Sequence, residues 1–190
     1  MSSHVFKVSR QGLRARQAET LTKLLAAGEE ELRLVGHEAV TVRTVAARAG
    51  VSPATAYTYL ASKNHLFAEL FLGYLQAHEI DIPDADAVTR VRAVTRHMAT
   101  LLADSPALAA AATPALLSTD PDVDRLRVRI GAELITSFQR ALGDDATDDL
   151  LETLILAYSG ALLQAGMGLF TYTEMGERLD AVVAVIMKGH

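Results

Sequence analysis

Residues 41–63, TVRTVAARAGVSPATAYTYLASK, constrain this chain more than any other stretch. Val42, Val45, Ala46 and Ala49 recur at helical spacing, which gives a first short helix one face to bury. Gly50 falls where the chain must reverse, and glycine enters left-handed backbone angles without the steric cost of a Cβ. Ser52 is placed to cap a second helix, with Pro53 at the first position, where a missing N–H is no loss. Ser62 and Lys63 then open another. Two helices about a tight glycine turn form a helix-turn-helix pattern, whose second helix commonly enters the DNA major groove.

The net charge of −5 argues at first sight against a polyanionic partner, but it conceals an asymmetry. Residues 1–63 hold nine Lys/Arg against five Glu, a net of +4, while residues 64–190 stand at −9. A basic end on an acidic body fits a DNA-reading module attached to a part with other work. At 190 residues, half of them hydrophobic, the chain can bury a sizeable core in one or two domains. There is no cysteine, which excludes disulfides and thiolate metal sites. No hydrophobic signal region is seen near Met1, so the expected location is cytoplasmic.

Residues 153–173 carry no charge and are long enough to cross a bilayer. Ser159, Gly160, Gln164, Gly166 and Gly168 make them only moderately apolar, and both flanks are acidic, with no positive-inside signal. A helix buried in a soluble assembly is the expectation, and no membrane partner.

Residues 1–13 are polar and hold no acid, which suggests a mobile basic arm. Ala18, Leu21, Leu25 and Leu32 line one face of the helix that follows, and Gly36 can close it. Leu66, Phe67, Leu70, Phe71 and Tyr74 stripe the helix capped by Ser62, expected to be the only element spanning both domains. After the break around Pro83, helices are expected at about 87–103, 106–118, 121–142, 147–170 and 174–188. No segment alternates with a period of two, so no sheet is expected. The expected fold class is all-α, with a small N-terminal three-helix DNA-binding domain (1–63) and a larger helical bundle (64–190).

Ala46, Ala49-Gly50-Val51-Ser52, Thr55, Tyr57, Tyr59 and Ser62-Lys63 stand where the tetracycline-repressor-like (TetR) regulators carry their helix-turn-helix signature. The chain resembles that family strongly over about residues 21–70 and weakly beyond. It departs at Ala54, where the family has glycine, and at Ala56, where it has a buried leucine. The first departure bears on how closely the backbone approaches DNA, the second on the weight of the small domain's core.

The resemblance implies a DNA-contacting set. Thr55, Tyr57 and Thr58 fall at or near base-facing positions, with Ser52, Pro53 and Ala54 at the leading edge. A threonine methyl suits the thymine methyl, and its hydroxyl can bond a base edge. Tyr59 and Lys63 match phosphate clamps, which set register and read no sequence. Lys63 opposes the dipole of the helix it opens, which favours that role. Arg43 matches a position from which a guanine is reachable, and Thr41 could hold a phosphate at a helix start. Blander readings stay open: Tyr57 and Tyr59 as half-buried packing, Arg43 and Lys63 as solvated surface, Arg10, Arg14 and Arg16 as disordered solvated groups and not minor-groove contacts.

One short helix reads few base pairs, so the family implies a homodimer on a palindromic double-stranded operator. Leu151, Ile155, Leu162, Val182, Val183 and Ile186 are the expected apolar interface, with Gly160, Ala161, Ala165 and Gly168 permitting close helix approach. The alternative is that they fill only one protomer's core. A small lipophilic effector is expected between helices, against Phe71, Tyr74, Met98, Leu101, Leu102, Leu134, Phe138, Tyr158 and Met167, although each suits ordinary core packing. His78, His97, Gln139 and Gln164 could supply polar contacts there.

No cofactor or metal is expected. The six histidines form no HExxH, and neither a GxxxxGK loop nor a GxSxG elbow occurs, so a helical enzyme is unsupported. A nonspecific DNA-organising protein conflicts with the acidic body. A DNA-binding regulator without a small-molecule effector remains the alternative.

Overall fold

The computed structural model describes residues 2–189, with side chains over residues 15–188. Among them are nine α-helices and no strand: α1 (Ser2–Ala39), α2 (Val42–Ala49), α3 (Pro53–Tyr59), α4 (Lys63–Ala77), α5 (Ala87–Asp104), α6 (Pro106–Leu117), α7 (Pro121–Leu142), α8 (Asp148–Gly166) and α9 (Tyr172–Ile186). No single helix among them is long and apolar enough to cross a membrane.

The starts follow local chemistry. Thr41, Ser52, Ser62, Asp86, Asp120, Thr147 and Thr171 each cap a helix with a side-chain oxygen that accepts a backbone N–H. Gly50, at φ 69°, ends α2: its N–H bonds Ala47 O and that of Val51 bonds Ala46 O, a Schellman closure. The same device ends α8 short of the expected residue 170. Gly168 takes φ 75°, with its N–H on Ala165 O and that of Leu169 on Gln164 O. Gly168 therefore makes the turn that ends α8.

The core is continuous from Leu24 and Val42 to Leu179 and Val183, passing through Leu66, Phe67 and Phe71 of α4. In α1 the buried stripe is Leu24, Ala27, Gly28, Glu31 and Leu32, with Leu21 and Leu25 partly buried; Ala18 stands in solvent. Gly36, at φ 73°, kinks the chain near the end of α1. The expected arm falls on side chains outside the described ones, and its backbone is the start of α1. Ala56 is fully buried where a larger residue is the family norm, so α3 rests on a small contact.

Helix α4 is not the only bridge from the N-terminal helices to the rest. Helix α1 packs on α6 as well as on α4. At Gly28 an added Cβ would lie 2.8 Å from Leu66 Cδ1, so α1 and α4 meet there through a missing side chain.

Candidate nucleic-acid interface

Helices α2 and α3 bury one side and present the other. Val42, Val45, Ala46 and Ala56 are inside, whereas Pro53, Ala54, Thr55, Tyr57 and Thr58 are all exposed on α3. Tyr57 is 48% exposed, a large ring in water with no packing reason to be there. Tyr59 is half-buried against the core. Arg43 is exposed on α2 beside this face and has no acidic partner among the described ion pairs.

The serine and threonine hydroxyls of this face are already engaged. Thr41 and Thr44 form a reciprocal capping box, each hydroxyl accepting the other's backbone N–H at 3.1 Å. Ser52 Oγ accepts the Thr55 N–H at 3.1 Å and lies 2.9 Å from Thr55 Oγ1; Thr58 Oγ1 donates to Ala54 O. Ser52 thus serves the helix start, and Thr55 offers a partly satisfied hydroxyl.

The helices are anchored through charge. Arg48 of α2 reaches Glu31 at 2.6 Å and Glu30 at 3.4 Å, both on α1. Glu31 is 7% exposed, so this pair is partly desolvated and holds α2 in register on α1. The hydrogen bond to Glu31 pushes Arg48 further up from its ordinary range. Lys63 Nζ donates to His37 O and Glu38 O, each at 2.9 Å, and lies 5.9 Å from the Phe67 ring. A cation at the C-terminal carbonyls of α1 is favourably placed. Its position at the start of α4, unfavourable when that helix is taken alone, is offset by this second helix end.

The start of α4, directly after α3, is tied to the body. Ser62 Oγ accepts the His65 N–H at 2.9 Å and donates to Asp120 Oδ2 at 2.5 Å. That bond, and the Asp122 N–H behind it, holds the Asp120 carboxyl below its usual range. Arg127 donates to Leu116 O and Ser118 O, so the α6–α7 corner bearing Asp120 is itself clamped. His65 Nδ1 accepts the Ala61 N–H, and Nε2 faces Glu69 at 3.6 Å. Glu69 raises the His65 pKa against the opposing effect of burial. The Ser62–Asp120 pairing is not legible in the sequence, because the two residues lie 58 positions apart.

Elsewhere the expected sets divide. Phe71, Leu101, Leu102, Leu134, Phe138 and Tyr158 are packed in the core, Phe138 edge-on to Tyr158. Met98 borders a 490 Å³ cleft between α4, α5 and α7, which also holds His78, and Tyr74 borders a 690 Å³ cavity beside α1. Met167, 63% exposed, faces solvent and lines neither. Of the expected interface, Leu151, Ala165 and Val183 belong to the protomer's own core. Ile155, Gly160, Ala161, Leu162 and Ile186 are half-buried, and Val182 and Gly168 are exposed. Beside Val182, the large apolar residues that α8 and α9 turn to solvent are Leu156, Leu163 and Val185. Leu156, Gly160 and Leu163 share a face by their spacing of four and three, a signal available in the sequence. Among the described residues no acid–histidine cluster is arranged to hold a metal.

An exposed helix after a glycine turn, on an all-helical chain, is the helix-turn-helix arrangement of DNA-binding regulators. The family model of bacterial regulatory proteins of the tetR family matches residues 24–70. An HTH-type transcriptional regulator of Mycobacterium tuberculosis is 44% identical over 180 residues, spanning 92% of this chain and 83% of that protein. One of Mycobacterium bovis gives the same figures. A TetR transcriptional regulator from Rhodococcus sp. RHA1 shares the fold with a TM-score of 0.75 at 19% identity, over 87% of this chain and 96% of that one. The chain belongs to the TetR family of transcriptional regulators.

Proposed function

We propose that this regulator is a repressor, acting as a homodimer on a palindromic operator and released from it by a small, largely apolar effector. Residues 1–63 form the reading head and residues 64–190 the effector-binding and dimerisation part. Arg43, Thr55, Tyr57 and Thr58 approach base edges; Thr41, Tyr59 and Lys63 act at phosphates or hold the register. The observation that carries this reading is the solvent-facing side of α3, with Tyr57 at its centre and Ala56 buried beneath. Two such helices are to lie about 34–36 Å apart, one turn of DNA, with α8 and α9 setting the distance.

Release is a shift between two body shapes that space the heads differently. A tenfold loss of operator affinity requires an effector preference of about 1.4 kcal/mol for the released shape. The alternative, regulation without a small molecule, draws support from the closed packing of Leu101, Leu102, Phe138 and Tyr158. A mobility-shift titration on a palindrome from the neighbouring promoter tests the first part. Equal affinity for random DNA of the same length sinks it.

A further inference from the structure

We propose that the 690 Å³ cavity between α1, the second half of α4 and the α5–α6 corner is a ligand site for an apolar molecule with one cationic end. It lies at the seam between head and body, outside the packed residues of the bundle. Its volume falls within the range of about 300–1,000 Å³ usual for small-molecule sites. Leu32 of α1, Leu70 and Ala77 of α4 and Leu108 of α6 form apolar walls from three helices.

Gly73 is the second observation. It sits inside α4, where glycine costs helix stability relative to alanine. Close packing does not account for it, because an added Cβ would meet nothing within 4 Å. It borders the cavity, so its missing side chain enlarges this space.

Charge selects the class. The cavity is bordered by two carboxylates, Glu29 and Asp104, neither paired among the described ion pairs. Asp104 acts on Tyr74 strongly enough to help push its phenol upward, after burial. Opposing them are Arg33, and His78, whose Nδ1 lies 2.7 Å from Tyr74 O and donates to it. Two acids against one permanent cation, on an acidic body, favour a positive ligand end. The apolar portion then covers Leu70 and Leu108. A molecule here touches α1 and α4 at once, and so bears on the angle between head and body. That consequence rests on the operator reading above; the binding does not.

Calorimetry with n-decylammonium, decanoate and decanol on the full chain tests the site. Decylammonium is expected to bind saturably, one per chain, at least tenfold more tightly than decanoate. Gly73→Leu, which fills the cavity while favouring helix, is expected to weaken it at least tenfold, and Gly73→Ala to leave it nearly unchanged. Asp104→Asn is expected to narrow the gap between amine and carboxylate. Equal binding by Gly73→Leu, decanoate as tight as decylammonium, or no saturable decylammonium binding overturns the site. A parallel operator shift keeps the two readings apart. Saturable binding with operator retention unchanged overturns the effector role alone, and failure to bind operator without any amine overturns the DNA reading while calorimetry still decides the site.

Discussion

Ser62 and Asp120 are each the N-cap of a helix, and Ser62 Oγ donates to Asp120 Oδ2 at 2.5 Å. The residue that opens α4 just after α3 is thereby bonded to the residue that opens α7 in the body. Lys63, its neighbour, bonds the end of α1. Two consecutive residues thus fix the exit of α3 to both parts of the molecule.

Ser62→Ala removes a helix cap and this tie together. Loss of a cap costs about 0.5–2 kcal/mol. Operator affinity is expected to fall along with the melting temperature, and a double-mutant cycle with Asp120→Ala should return a non-zero coupling. Additive single effects would show that the two residues act separately.

The lowered Asp120 pKa sets the pH direction of that tie. A carboxyl depressed in the folded state stabilises above its unfolded value of about 3.9, and the contribution is lost as pH falls through the folded value. In Ser62→Ala the Asp120 titration, followed by NMR, should move back toward the ordinary carboxylate range. An unmoved titration would remove Ser62 as its cause.

His65 behaves in the opposite sense. Its pKa is raised, chiefly by Glu69, so the stabilisation from the Glu69 pairing is complete below the unfolded value of about 6.5 and is lost as pH rises through the folded value. The Ala61 N–H bond to Nδ1, by contrast, belongs to the neutral ring. Glu69→Gln should lower the His65 midpoint in an NMR titration and flatten the pH dependence of stability above about 6.5. A midpoint indifferent to Glu69 contradicts the assignment.

Tyr57 and Lys63 are both expected DNA contacts on sequence, and the structure sets them in different surroundings. Tyr57→Ala changes an exposed side chain, so stability should shift by no more than about 0.5 kcal/mol while operator binding drops. Lys63→Ala removes two hydrogen bonds to the end of α1, which should lower stability by about 1 kcal/mol or more. For every phosphate interaction removed, the log–log salt slope of operator binding should also become shallower by about one. A Lys63→Ala protein as stable as wild type would return Lys63 to a purely DNA-facing role.

The features that can be read from the chain alone are those that local chemistry decides. Gly50 and Ser52 announce a turn and a cap within three residues, and the helix starts at Ser62, Asp120 and Thr147 are similarly local. The end of α8 is not legible, because Gly160, Gly166 and Gly168 offer equal signals and only the fold decides that Gly168 turns. The partners of Lys63 and Ser62 depend on which helices meet, which no spacing encodes. On α8 a rotation of about 100° separates half-buried Leu162 from exposed Leu163, so adjacent leucines fall on different faces, and only the packing decides which is covered.

The outer face carries the last prediction. Leu156 is 66% exposed, Leu163 39%, Val182 39% and Val185 71%, and they lie on the adjoining helices α8 and α9. A shallow groove bordered by Leu156, Gly160, Phe170 and Val182 runs between the two helices. A patch this apolar is a liability in water unless a partner covers it, and a second copy offers the same patch in self-complementary form. Leu156→Asp combined with Val185→Asp places two charges on it without touching the protomer's core. Sedimentation equilibrium should then give half the wild-type mass, with helical content by circular dichroism preserved. Operator affinity should collapse, since each head alone touches few base pairs. A double variant that keeps both its mass and its operator affinity means that the pairing surface lies elsewhere on the molecule.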